Sequence, residues 1–193
     1  MPAAREALLE AAGAALVARP WTAVRMVEVA AAAGVSRQTL YNEFGGKEGL
    51  GRALVRRETD WYLAGVDRAL APPARPEERL AALADWTVRA AREHPLVRAV
   101  LTGCWDSRLP PAVPAGTSWS GAATGPPGPG EMARAVRDRA AAALSSAPEA
   151  GGSGGSAAAG VRQCELAVRL ALSYVIAPPL DPADPDLVTL LAP

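Results

Sequence analysis

Lysine occurs once in this chain of 193 residues, at 47, histidine once, at 94, phenylalanine once, at 44, and cysteine twice, at 104 and 164. Two cysteines are too few for a disulfide framework or a thiolate metal site, and they read as buried thiols. A single histidine without paired cysteines leaves little material for metal or nucleophilic chemistry. The acids are scattered over solvent faces, so no catalytic residues, no metal and no cofactor are expected. Long apolar runs are absent too. No stretch approaches the roughly 18 to 20 apolar residues of a membrane span, and the first twenty residues lack the order of charge, apolar run and cleavage site of a signal peptide. A soluble, cytoplasmic protein with no membrane partner is expected.

What is present is half hydrophobic and punctuated by 18 glycines and 18 prolines. The length allows one good-sized core, or a small module joined to a larger one. Charge is balanced overall but not evenly spread. Residues 1–57 hold eight Arg or Lys against five Glu, a net of +3, and the remainder holds twelve against fifteen, a net of −3. A basic head on an acidic body suits docking of one end on phosphates.

Apolar residues at helical spacing predict a first helix over 3–18, carried by Leu8, Leu9, Ala12, Ala15 and Leu16 and ended by Arg19-Pro20. In residues 25–50, RMVEVAAAAGVSRQTLYNEFGGKEGL, one helical pattern through Val29, Ala30 and Ala33 stops at Gly34-Val35-Ser36 and another resumes at Arg37. Glycine accepts the left-handed conformation that ends a helix, and Ser36 can cap the next. The pattern is helix, tight turn, helix. Trp21 and Val24 read as core below the turn. By itself the pattern leaves open an ordinary surface hairpin with solvated polar residues.

The stretch VAAAAGVSRQTLYNEFGGKEGL resembles the signature of the tetracycline-repressor (TetR) family of bacterial transcription regulators. A small apolar pair precedes Ala-Gly-Val-Ser, then Thr-Leu-Tyr, an aromatic residue, Lys-Glu and Leu, and the likeness runs over roughly residues 5–57. The resemblance implies an all-α protein. An N-terminal three-helix helix-turn-helix DNA-binding domain (1–46) would be followed by a connecting helix (47–70) and a helical-bundle domain (71–193) for effector binding and dimerisation. It also implies DNA-facing residues: Arg25, Ser36, Arg37, Gln38, Thr39, Tyr41, Asn42 and Lys47. Arg37 and Gln38 suit base edges, and Ser36, Tyr41 and Lys47 suit phosphates. Arg25, Glu43 and Gly46 depart from the family pattern, which commonly has threonine, histidine, and serine or asparagine there.

Beyond the turn, residues 47–70 read as one helix weakened by Gly49, Gly51 and Gly65, since glycine in a helix interior is about 1 kcal/mol worse than alanine. Pro76-Glu77-Glu78 opens a helix running to about Glu93, Pro95 starts a short one, and Gly103 stops it. Residues 105–130 are too rich in proline and glycine for a regular helix throughout, and 148–160 read as a flexible connector. Helices are expected over 131–146 and 161–177, with a short terminal one after Asp184-Pro185-Asp186 that Leu187, Leu190 and Leu191 pack down. The last long helix is apolar on two sides and so must be covered twice. Val136, Ala140, Leu144, Val161, Cys164, Val168 and Leu172 are the candidate dimer interface. Trp61, Tyr62, Trp86, Trp105 and Tyr174 are the candidate effector pocket, although aromatic residues at such spacing are more often plain core.

Together these features describe a homodimeric regulator, a repressor released from a near-palindromic double-stranded DNA operator by an unknown small-molecule effector, and not an enzyme. The alternative is an all-helical carrier or enzyme with an incidental N-terminal hairpin. A third reading has the body bind a partner protein instead of a metabolite.

Overall fold

The computed structural model describes residues 2–72, 74–111, 127–145 and 155–178. Among them all regular structure is helical: α1 (Pro2–Ala18), a single 3-10 turn (Trp21–Ala23), α2 (Met26–Ala32), α3 (Arg37–Phe44), α4 (Lys47–Leu70), α5 (Pro76–Glu93), α6 (Pro95–Thr102), α7 (Pro129–Ser145) and α8 (Gly155–Ile176). None of these helices is long and apolar enough to cross a membrane. The expected terminal helix around Leu187 lies outside the described residues, as do residues 112–126 and 146–154. The connector expected over 148–160 is shorter than its glycines imply, because α8 already begins at Gly155.

The chain divides into two compact units. The first comprises residues 1–59 and 104–126, the second residues 60–103 and 127–193, so the division falls inside α4. In the first unit α1, α2 and α3 pack on one another. Leu8 and Ala12 of α1, Val29 and Ala30 of α2, Leu40 and Phe44 of α3, and Leu50 and Leu54 of α4 are all buried. Trp21 and Val24 join them. The unit has a second piece of chain in it: the Trp21 amide donates to the Arg108 carbonyl at 2.7 Å, and Leu109 is buried. The beginning of the proline-rich stretch after α6 is therefore tied to the first unit.

In the second unit α8 packs on α5, α6 and α7. Leu80, Leu83, Ala84 and Val88 of α5, Val97 and Val100 of α6, Met132, Val136 and Ala140 of α7, and Cys164, Val168 and Ala171 of α8 form its core, together with Tyr62, Val66 and Leu70 from the end of α4. Arg79 is buried and donates through Nε to the Leu70 carbonyl at 2.6 Å. It thereby satisfies one of the carbonyls that the end of α4 leaves open. Cys104, expected to be buried, is exposed, whereas Cys164 is buried. Gly103 adopts a left-handed φ of 73° and ends α6, and the chain leaves the core there.

The glycines of α4 do not interrupt it; the helix runs for 24 residues. A Cβ on Gly49 would lie 1.8 Å from the Phe44 carbonyl oxygen, and one on Gly65 would lie 2.0 Å from the Trp86 ring. At both places a neighbour occupies the space that a side chain would need.

Candidate nucleic-acid interface

The turn between α2 and α3 is built from glycine and serine chemistry. Gly34 has φ of 67°, its amide donates to Ala31 O at 3.1 Å, and the Val35 amide donates to Ala30 O at 3.0 Å. This pair of bonds is the Schellman closure, which satisfies the last carbonyls of α2. Two residues later Ser36 Oγ accepts from the Thr39 amide at 3.0 Å, and the two hydroxyls are 2.9 Å apart. One helix is closed and the next opened within three residues.

The inward side of α3 is Leu40 and Phe44, both buried, which fixes the side that faces out. Arg37, Gln38 and Asn42 are exposed, and Thr39 and Tyr41 are half-buried. Arg37 donates to the Tyr41 hydroxyl at 3.5 Å, and its guanidinium carbon lies 5.3 Å from the centre of that ring. Gln38 Nε2 donates to Asn42 Oδ1 at 2.8 Å. The exposed side of α3 is thus a row of side chains already tied to one another.

Lys47 is partly committed. Its ammonium donates to the Thr22 carbonyl at 3.2 Å and sits 5.6 Å from the centre of the Trp21 ring. It clamps the start of α4 to the 3-10 turn while keeping N–H directions to spare, since an ammonium has three. Arg25 precedes α2 in an extended conformation and makes no side-chain cap; its guanidinium approaches Glu28 at 4.0 Å. Glu43, an acid where a phosphate contact would want none, is approached by Arg5 at 3.7 Å, and Arg5 also lies over the Phe44 ring at 4.6 Å. Arg19 pairs with Glu28 at 2.6 Å, and Arg57 with Glu6 at 3.6 Å and Glu58 at 3.2 Å. Several cations of the first unit face carboxylates, whereas the contacts of Arg37 and Lys47 are with neutral groups, so their charge is left to act outward. Arg5 as the partner of Glu43 is not visible in the sequence, where the two stand 38 residues apart.

The aromatic set chosen for an effector pocket is only partly assembled. Trp61, Tyr62 and Trp86 come together in the second unit: Trp61 and Trp86 have ring centroids 5.0 Å apart, and Trp86 Nε1 donates to the Tyr62 carbonyl at 3.1 Å. His94 stacks on Trp61 at 4.0 Å. Trp105 belongs to the first unit, and Tyr174 is half-buried on α8. Among the dimer candidates, Val136, Ala140, Cys164 and Val168 are buried within the single chain. Leu144 and Leu172 are half-buried and Val161 is exposed. Leu166 and Ile176, at 65% and 64% exposure, are with Val161 the large apolar side chains that α8 turns to solvent among the described residues.

Residues 8–54 match the bacterial regulatory proteins of the tetR family. The chain is 41% identical over 66 residues to the HTH-type transcriptional regulator AlkX of Mycobacterium tuberculosis, a match covering 34% of this chain and 31% of that one. It is 35% identical over 99 residues to an uncharacterized HTH-type transcriptional regulator of the same species, Rv1255c, covering 51% and 49%. The matches thus span less than half the length of either relative. Among solved structures, the TetR family repressor AlkX from Dietzia sp., implicated in biodegradation of n-alkanes, has a TM-score of 0.53 at 24% identity over 92% of this chain and 86% of its own. A tetR-family transcriptional regulator from Streptomyces coelicolor has a TM-score of 0.54 at 21% identity, covering 99% and 76%. These likenesses establish the fold.

Proposed function

We propose that this chain, a member of the tetR family of bacterial regulatory proteins, acts as a homodimeric repressor that sets α3 into the major groove of a near-palindromic operator and is released by a small-molecule effector. The observation that carries the reading is the exposed side of α3. Arg37, Gln38 and Asn42 project from a helix whose other side is locked by Leu40 and Phe44, and the N-terminal residues of such a second helix are the ones that reach base edges. Arg37 would read guanine and Gln38 adenine. Thr39 would contact a base or a thymine methyl, and Ser36, Tyr41, Arg25 and Lys47 would hold phosphates and set register. Residues 1–46 would then be the DNA-binding domain, α4 the connector and residues 71–193 the effector and dimer domain.

The relatives are transcriptional regulators, and no catalytic activity is proposed. The effector would sit in the second unit beside Trp61 and Trp86, which both keep some exposure, and it would be largely apolar. It must bind the DNA-released conformation better than the DNA-bound one. Dimerisation would use the outer side of α8 around Val161, Leu166 and Ile176, because Cys164, Ala167, Val168, Ala171 and Val175 are already buried within the single chain.

Selection of bound fragments from random duplex DNA tests the proposal. A palindromic site with half-sites about one helical turn or a multiple apart is expected. Affinity for it should fall by roughly 10³-fold or more between about 50 and 200 mM salt, as six to ten phosphate contacts per dimer require. No enrichment, with no salt dependence, overturns the DNA reading. A screen of apolar compounds that never dissociates the complex overturns the effector half alone.

A further inference from the structure

We infer that Asn42 acts as a positioning residue that biases the amide of Gln38 toward the orientation that reads adenine. This role rests on the reading of α3 as a major-groove helix and belongs within it. A glutamine amide can present either its oxygen or its nitrogen, because its terminal torsion is broad and roughly two-fold. Left alone on a helix surface, Gln38 would sample both. It is not left alone. Residues 38 and 42 are neighbours on the helix surface, and Gln38 Nε2 donates to Asn42 Oδ1 at 2.8 Å.

That bond engages one of the two N–H groups on Nε2. Facing outward there remain Oε1, an acceptor, and the second N–H, a donor. Adenine offers the complement in the major groove, the N6 donor beside the N7 acceptor. Guanine offers two acceptors, O6 and N7; with one N–H engaged, Gln38 has a single donor for them, and its own oxygen would face O6. The contact between the two amides thus favours adenine over guanine before any DNA arrives. The opposite arrangement, Asn42 Nδ2 donating to Gln38 Oε1, would leave Gln38 with two donors and reverse the preference. The direction of this one hydrogen bond therefore biases the choice of base.

The test uses the full chain and the operator obtained by selection. Gln38→Ala identifies the base pair that Gln38 reads, as the position whose preference disappears. Adenine is expected there, favoured over guanine roughly 5- to 150-fold, the range for a good bidentate pair. Asn42→Ala should lower that ratio by about 1.4- to 2.3-fold, the amount an i,i+4 amide pair on a helix surface supplies, while leaving preferences elsewhere in the half-site unchanged. Asn42→Asp, which can only accept, should weaken binding to all sequences through its added charge and still keep the adenine ratio. Without DNA, the Nε2 proton of Gln38 that Asn42 engages should exchange more slowly in the wild-type chain than the same proton in Asn42→Ala. An unchanged ratio in Asn42→Ala, guanine at the Gln38 position, or loss of the ratio in Asn42→Asp overturns the inference. A wild-type chain that selects no sequence, with the slowed proton exchange intact, overturns the DNA reading and leaves only the amide contact standing.

Discussion

Tyr62 is 1% exposed, and its hydroxyl lies 3.0 Å from Thr87 Oγ1. Thr87 Oγ1 also lies 2.9 Å from the Leu83 carbonyl, and either hydroxyl can be the donor between Tyr62 and Thr87. Burial pushes its pKa up to about 12, only partly opposed by the Thr87 contact. The raised value means that the folded chain holds this proton more tightly than the unfolded chain. Its stabilising contribution is full below pH 10 and is lost as pH rises through 12. Urea unfolding should therefore show stability falling by on the order of 2–3 kcal/mol across that window. Tyr62→Phe, which cannot ionise, should flatten the decline at a cost of about 1 kcal/mol at neutral pH, and an equally steep decline in the variant would assign it to other groups. At this same scale the sequence is legible where a residue acts on its chain neighbours. Ser36 capping Thr39 is a three-residue event written in the side chains themselves. It is silent where partners are remote, as with Arg5 and Glu43 or Lys47 and the Thr22 carbonyl.

The elements obey the same rule. The boundaries of α2, α3, α5 and α6 are set by local punctuation, Gly34, Ser36, Pro76, Pro95 and Gly103, and each is readable. The glycines of α4 are not, because propensity sees only the helix and not the groups that lie against it. Gly65 shows the difference. Alanine there gains up to about 1 kcal/mol of helix propensity, but its Cβ would meet the Trp86 ring at 2.0 Å. That ring is held by its bond to the Tyr62 carbonyl, so it gives way only by breaking it. Overpacking of this kind costs about 1–3 kcal/mol. Gly65→Ala should therefore lower the denaturation midpoint with an unchanged m-value, and a raised midpoint would show that the ring moves freely. The beginning of α8 is hidden for a related reason: its Gly-Ser-Ala start has the composition of a linker.

For the whole molecule, the split of charge into a basic head and an acidic body is legible from counting alone. The assignment of apolar stripes is not. Val136, Ala140, Cys164 and Val168 are expected from their pattern to meet a second subunit, and the single chain buries all four. A sequence marks which side of a helix avoids water without saying which of several covers it gets. The proposed dimer therefore depends on the residues still uncovered. Leu166→Asp is expected to shift the monomer–dimer equilibrium toward monomer by about tenfold or more in sedimentation, the equivalent of roughly 1.4 kcal/mol. Helical content should be unchanged, and binding to a single half-site should persist while the full operator is lost. A dimer that survives the substitution would place the contact elsewhere.

The bond from Trp21 to Arg108 has a consequence for how such a protein can be recombined. The first unit is not a contiguous cassette. A graft that moves residues 1–59 onto another body carries α3 but abandons the Arg108 carbonyl and the Pro110 ring that lie against Trp21 and Gly51. Exchange of the proposed DNA specificity by swapping N-terminal segments therefore has to bring residues 104–111 along, or supply an equivalent strap from the recipient. Inheritance of the reading head is in this sense two-part, with residues 60–103 of another unit between the parts.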